Sequence, residues 1–317
     1  MLTRLSLVAS LSNPSPTGEQ FTIRHGDLSA VVCEVGATLR SLSAGGVELI
    51  DGFDPASFSL SGRGQVLAPW PGRLDHGTFA FDGVSSTAPI NDVEHNAAIH
   101  GLVRWRSFEL LRVDENRVVL GIRIYPSPPY PYSVVLTIEY AVGPDGLVVT
   151  STAQNVGSTQ CPFALGFHTY LSVGALIDGA ELRFPGRSTL LLNDRLIPTG
   201  EIKPVEGSTL DFTQGHLIGD AVLDTTFSEL VRDADTRARA VLAHQGTGQT
   251  VELWVDEQFG YLQLFTGDTI GDVPRRRLGL AVEPMTSPPN ALQSGVDVII
   301  LAPLQEWRGQ FGVRALP

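Results

Sequence analysis

Apolar residues in this chain recur at every second position in short runs, and glycine or proline ends each run before it reaches the length of a helix. A period of two sets alternate side chains on opposite faces of a strand. Residues 117–124 read RVVLGIRI. Residues 133–142 read SVVLTIEYAV, with Val134, Leu136, Ile138 and Tyr140 on one face. LVVTSTAQ at 147–154 follows the turn sequence GPDG, so these two runs predict a hairpin. Further strands are expected at 240–244, 250–256, 261–266, 278–283 and 298–304, with loops such as YPSPPYPY and GDTIGDVPRRR between them. Helical periodicity is weak, and only residues 220–230 have room for a turn or two of helix. The chain has 33 glycines and 21 prolines to make turns. Many short strands and almost no helix imply an all-β fold. No linker, low-complexity stretch or fixed-period repeat divides the 317 residues. The expectation is a single large antiparallel β-sandwich domain over 1–317.

The formal net charge of −12 argues against nucleic acid or an anionic membrane as a partner, since both need basic patches. It leaves a small neutral ligand open. No apolar run approaches the ~20 residues of a membrane span. The opening stretch MLTRLSLVASLSNPSP has a signal-like apolar segment, but Thr3, Arg4 and Ser6 interrupt it and no clean cleavage site follows. Cys33 and Cys161 lie far apart, without metal-type spacing, and read as buried free thiols. A reducing, cytoplasmic location is expected.

PFALGFHTYL, at 162–171, carries the first chemical signal. As a strand it sets Phe163, Leu165, Phe167 and Leu171 on one face, and Ala164, Gly166, His168 and Tyr170 on the other. The imidazole reads either as a core histidine with its hydrogen bonds met or as a working acid. Gly166 and Ala164 favour the second, because strand interiors hold glycine mainly where something approaches closely. LGLAVEP, at 278–284, repeats the device, with Gly279, Ala281 and Glu283 opposite Leu278, Leu280 and Val282. An unpaired buried carboxylate costs several kcal/mol. Glu283 is therefore either a rim residue at a strand end or half of an acid/base pair with His168 across one cleared cavity.

No nucleophile accompanies this pair: a G-x-S-x-G elbow is absent, and neither cysteine has a histidine near it in sequence. His95 and His100 in EHNAAIHGL are spaced for neither one helix face nor a zinc motif, so no metal site is read. GTGQTV at 246–251 fails the dinucleotide fingerprint, and no phosphate loop is present. No cofactor is expected. In APWPGRLDHG, a rigid turn sets Arg73 beside the aromatic Trp70, a pairing suited to sugars. Asp224 in VLDTTF reads either as a helix N-cap or as a polar ligand. Gln263 in GYLQLFTGD is a neutral amide among aromatics, which suits a hydroxyl-rich ligand or an edge strand. Arg275, Arg276 and Arg277 form a basic triplet that reads as a solvated loop or as an anion contact.

Taken in order, these segments resemble the aldose 1-epimerase (galactose mutarotase) family over nearly the whole chain. The likeness runs from EVGATLRSL through PWPGRLDHGTFAFDG, AIHGLVR, PFALGFHTYL, LDTTF and YLQLFTG to LAVEPMTSPPNAL. The resemblance implies a large antiparallel β-sandwich that interconverts sugar anomers without a metal or organic cofactor, acting as a monomer or homodimer on a small sugar. It makes His168 the acid at the ring oxygen, Glu283 the base on the anomeric hydroxyl and His100 a second histidine at one of those oxygens. Arg73, Asp224 and Gln263 match positions that hold sugar hydroxyls. Gly72 and Phe167 stand where many members have asparagine, and EPMTSPPNAL departs from the usual E-x-Q-x-x-P-D-x-x-N. These departures resemble the bacterial branch that includes sulfoquinovose mutarotase, and they leave the sugar open. The alternatives are a hexose-6-phosphate or sulfo-sugar epimerase, with the arginine triplet on the anion, and a non-catalytic sugar-binding module.

Overall fold

The computed structural model describes residues 15–317, so most of the N-terminal stretch weighed as a signal lies outside the described residues. Two large antiparallel sheets dominate. The nine-stranded sheet runs, in spatial order, Glu109–Asp114, Arg117–Ile124, Val134–Gly143, Gly146–Asn155, Glu306–Leu316, Gln249–Val255, Ala238–His244, Glu181–Arg183 and His216–Leu217. The eight-stranded sheet carries Pro198–Pro204, Gly186–Leu192, Asp224–Leu230, Tyr261–Phe265, Leu280–Met285, Gly166–Phe167 and Val66–Leu67, with Thr169–Leu171 also paired to Leu280–Met285. A four-stranded sheet, Gln20–His25 to Val47–Glu48, stands at the N-terminal end.

The alternating sequence explains the hairpin Val134–Gly143 and Gly146–Asn155. Its register closes on Gly143 opposite Gly146, as the GPDG turn predicts. Val134, Leu136, Ile138, Tyr140 and Val142 are all buried, while their alternates are half-exposed. Each such side chain contributes roughly 1.5–3 kcal/mol relative to exposure. Tyr140 keeps its hydroxyl satisfied by donating to the Ala37 carbonyl at 2.7 Å. Between the sheets, the Phe167 ring lies 4.6 Å from that of Phe311, so the position before His168 is a core anchor.

Several local expectations change. Residues 220–230 form no helix: Asp224–Leu230 is a strand, paired with Tyr261–Phe265 and Gly186–Leu192. Thr225, Thr226 and Phe227 favour a pleated, half-buried surface over a helix, and Asp224 therefore caps nothing. PFALGFHTYL is not one continuous strand. It divides into Cys161–Phe163, Gly166–Phe167 and Thr169–Leu171, with His168 at the last break. Both of its faces are buried. In the loop YPSPPYPY, Tyr130 and Tyr132 are buried, with the Tyr130 hydroxyl donating to the Pro162 carbonyl, while Tyr125 is exposed. Cys33 and Cys161 are buried free thiols. No helix among the described residues is long and apolar enough to cross a membrane.

Candidate active site

A row of polar side chains crosses the eight-stranded sheet. Register sets Thr226 opposite Gln263 and Gln263 opposite Glu283. Beyond Glu283, Gly166 stands opposite Met285 and Thr169 opposite Val282, so the same register brings His168 to Glu283. His168 Nε2 lies 3.3 Å from Glu283 Oε1, and the two side chains are only 7% and 5% exposed. The break in the strand is held by the backbone: the His168 N–H donates to the Gln65 carbonyl, and the Gly64 N–H donates to the His168 carbonyl. The imidazole stacks on Tyr170 at 5.0 Å and meets His100 edge-on at 5.5 Å.

The hollow itself arises differently from the sequence expectation. A Cβ on Gly166 would lie 2.7 Å from Pro71, and one on Gly279 would lie 2.6 Å from Asp51, so those vacancies are filled by neighbouring chain. Loops make the opening instead. Residues 58–62, 72–73, 99–105 and 269–271 enclose a cavity of about 420 Å³ over the polar row. His168 and Glu283 touch directly, so no sugar ring fits between them; the pair faces the cavity side by side.

His168, Glu283, His100, Arg73, Asp224 and Gln263 all line this cavity. Trp70 does not. It is buried, and its indole Nε1 donates to the Ala98 carbonyl at 3.1 Å, so it anchors the Arg73 turn from behind. Trp105 and Phe58, packed edge to face at 6.2 Å and half-exposed, supply the aromatic surface instead. Trp105 directly follows the motif AIHGLVR, so proximity to His100 was a usable signal; Phe58 stands in a turn-rich stretch without any.

Arg73 Nε donates to Asp92 Oδ2 at 2.7 Å, and Asp92 is held in turn by His95 at 2.9 Å. Burial works to raise the Asp92 pKa, but the hydrogen bonds from His95 and Arg73 outweigh it and keep the carboxyl ionised. Asp224 lies 4.0 Å from Arg73 and accepts from Gln263 Nε2 at 2.6 Å. His100 Nδ1 accepts from the Gly72 N–H at 3.2 Å, which leaves its Nε2 as the protonated, donating nitrogen. Gly72 has φ +63°, and a Cβ there would lie 2.8 Å from Pro289, so only glycine fits here.

The site is electrically quiet at its centre. Burial drives the His168 pKa down to about 3, helped by Arg63 and Arg104. Burial also drives His100 well below its ordinary value, and Glu283 well above. Both shifts favour the neutral imidazole and the carboxylic acid, and proton transfer across their contact makes the charged isomer. Neither cysteine lines the cavity, and burial pushes Cys161 up to about 11. Among the described residues, no group of three or more His, Cys, Asp or Glu side chains is arranged to hold a metal ion.

The arginine triplet stands in a largely exposed loop and does not line this cavity. Arg275 pairs with Asp51, Arg276 donates to the Ile270 carbonyl, and Arg277 bridges Asp178 and Asp268.

Comparison with known proteins places this geometry in context. The family model described as aldose 1-epimerase matches residues 19–314. An uncharacterized Escherichia coli protein, YihR, is 30% identical over 92% of this chain and 91% of its own. Pig galactose mutarotase is 24% identical over 95% of each chain. Among solved structures, an aldose epimerase homologue from C. elegans superposes with a TM-score of 0.83 at 19% identity, covering 94% of this chain and 98% of its own. A galactose 1-epimerase from Lactobacillus acidophilus gives 0.78 at 19% identity, covering 94% of each.

Proposed function

The chain belongs to the aldose 1-epimerase family, and we propose that it interconverts the α and β anomers of a free aldose, with His168 and Glu283 as the acid/base pair. The observation that carries this reading is their 3.3 Å contact at the floor of a cavity whose walls bear Arg73, Asp224, Gln263 and His100. The two oxygens that must exchange protons, O1 and the ring oxygen, share one carbon. Two catalytic groups in contact can address both from the same side, which a pair one sugar width apart does not do.

In the charged isomer, Glu283 takes the proton of the anomeric hydroxyl while His168 delivers one to the ring oxygen. The C1–O5 bond breaks and an open-chain aldehyde forms. Rotation about C1–C2 presents the other face. Glu283 then returns its proton to the aldehyde oxygen as His168 recovers the one on O5, and the ring closes on the other anomer. The pair ends with the one proton it began with. Each group contributes about 10²–10⁴-fold to such transfers. His100 Nε2–H is a fixed donor to the same oxygens, and Arg73, Asp224 and Gln263 hold ring hydroxyls. Burying an acid/base pair this deeply is expensive for a protein that only binds sugar, which disfavours a non-catalytic module.

Anomer exchange followed by NMR at equilibrium tests the reading. Wild-type protein speeds exchange of at least one free aldose and leaves its methyl glycoside, which lacks the O1 proton, untouched. A folded protein that accelerates exchange for none of a panel of free aldoses overturns the reading.

A further inference from the structure

A working imidazole is commonly turned towards its partner by a hydrogen bond on its other ring nitrogen. His168 lacks that support: its Nδ1 is buried, and among the described residues no other residue bonds to it. Its Nε2 nevertheless meets Glu283 at 3.3 Å. Packing must therefore set the plane of the ring. Tyr170 stacks on it, 5.0 Å between centroids and 13° from parallel. The Gly62 backbone presses on the ring so closely that a Cβ there would lie 2.5 Å from His168 Cδ2. His100 closes a further side edge-on.

Tyr170 and the turn at 59–62 both lead back to one residue. Arg63 is 2% exposed, and its guanidinium lies 4.9 Å from the centre of the Tyr170 ring. Its Nη1 donates to the Leu60 carbonyl at 3.3 Å, and the Tyr170 hydroxyl donates to the Ser61 carbonyl at 3.0 Å. The Ser59 hydroxyl donates to the Arg63 carbonyl at 2.8 Å and closes the turn on itself. Arg63 Nε donates to Asp51 Oδ2 at 2.9 Å, which fixes the guanidinium. Asp51 also pairs with Arg275, so the carboxylate has a cation without Arg63. Neither Arg63 nor Tyr170 lines the cavity.

Resting on the mutarotase reading, we propose that Arg63 is the positioning residue of the acid/base pair: held by Asp51, it presses Tyr170 and the 59–62 turn onto the His168 ring and so aims Nε2. The imidazole must reach both Glu283 and a sugar oxygen, and a displacement of about 1 Å costs such a transfer about 10²-fold. A flat guanidinium can lie over an aromatic ring while its edge donates to a carboxylate and a carbonyl. An ammonium cannot do all three.

The test measures kcat and KM for anomer exchange, using whichever of glucose, galactose, mannose and xylose wild type exchanges fastest. Thermal melting checks that each variant folds. Arg63→Lys keeps the charge and loses the flat grip. Tyr170→Leu removes the stacked ring and leaves the ion pair, whereas Tyr170→Phe keeps the ring and loses only the hydroxyl. Arg63→Lys and Tyr170→Leu are each expected to lower kcat by about ten- to a hundred-fold with KM within about three-fold of wild type. Tyr170→Phe recovers most of the kcat lost in Tyr170→Leu. The double variant Arg63→Lys/Tyr170→Leu falls little below the worse single one, because both act through one ring. A purely structural role lowers the melting temperature without splitting kcat from KM. A kcat within about two-fold of wild type in either folded variant, or a loss carried by KM, overturns this inference and leaves the mutarotase reading standing. So does failure of both Arg63→Lys and Tyr170→Leu to fold, which assigns these residues to the fold instead. Wild-type protein that exchanges none of the four sugars overturns both.

Discussion

His168 Nε2 lies 3.3 Å from Glu283 Oε1 with both side chains almost wholly buried, so one proton is shared between two groups that burial pushes in opposite directions. In the proposed mechanism the pair exchanges protons with the sugar, and its opposed pKa shifts also make it a source of pH-dependent stability.

The sign of that dependence separates the partners. Burial takes His168 down to about 3, while the unfolded chain protonates it below about 6.5, so stability falls as pH drops from 6.5 towards 3. Burial raises Glu283 well above 4.5, so the folded site holds a proton that the unfolded chain releases. Stability therefore falls as pH rises from 4.5 to the folded pKa. Glu283→Gln removes only the second effect. The variant melts higher than wild type at pH 8, and the gap narrows towards pH 5, by at most about 1.4 kcal/mol per pH unit. Calorimetry across that range checks it; a variant that melts lower at pH 8 contradicts the assignment.

Gly72→Ala places a Cβ 2.8 Å from Pro289 at φ +63°. It also displaces the N–H that fixes the His100 tautomer. The expected cost is about 1–3 kcal/mol, read as a lower melting temperature, together with a raised KM. Retention of both wild-type values would show that the turn adapts freely.

Asp92→Asn weakens the charge-assisted bond that aims Arg73 at the cavity. Under the proposed mechanism Arg73 grips hydroxyls and moves no proton, so KM is expected to rise by about three- to thirty-fold with little change in kcat. Steady-state kinetics at several sugar concentrations separate the two; a loss confined to kcat would place Arg73 in the chemistry.

The two tryptophans make opposite predictions. Trp70→Phe strands the Ala98 carbonyl in the core and lowers stability by about 1–3 kcal/mol, with KM near wild type once the protein is folded. Trp105→Ala removes half-exposed surface at the cavity, so KM rises while the melting temperature scarcely moves. Melting curves and KM for both variants decide the matter.

Local pattern made the hairpin Val134–Gly143 with Gly146–Asn155 legible, since alternation and a GPDG turn act within a few residues. It also singled out His168 and Glu283 as polar groups that a packed strand does not hold without reason. It did not reveal why the small residues stand there, because Gly166 and Gly279 answer to Pro71 and Asp51, which are distant in sequence. Trp70 was misplaced for the same reason: nothing local records that its indole meets Ala98. The helix expected near 224 gave way to a strand because pairing with Tyr261–Phe265 and Gly186–Leu192 outweighs a weak local preference. The lateral row Thr226, Gln263, Glu283 and His168 exists only once the strands are ordered in the sheet.

The most direct measurement is exchange NMR on His168→Asn and Glu283→Gln, with sugar binding and thermal melting measured on the same samples. Each substitution is expected to slow anomer exchange by about 10²–10⁴-fold while the protein stays folded and still binds sugar, and the double variant is expected to lose little more than the worse single one. Exchange within a few-fold of wild type in either folded variant would contradict the assignment of the shared proton to catalysis.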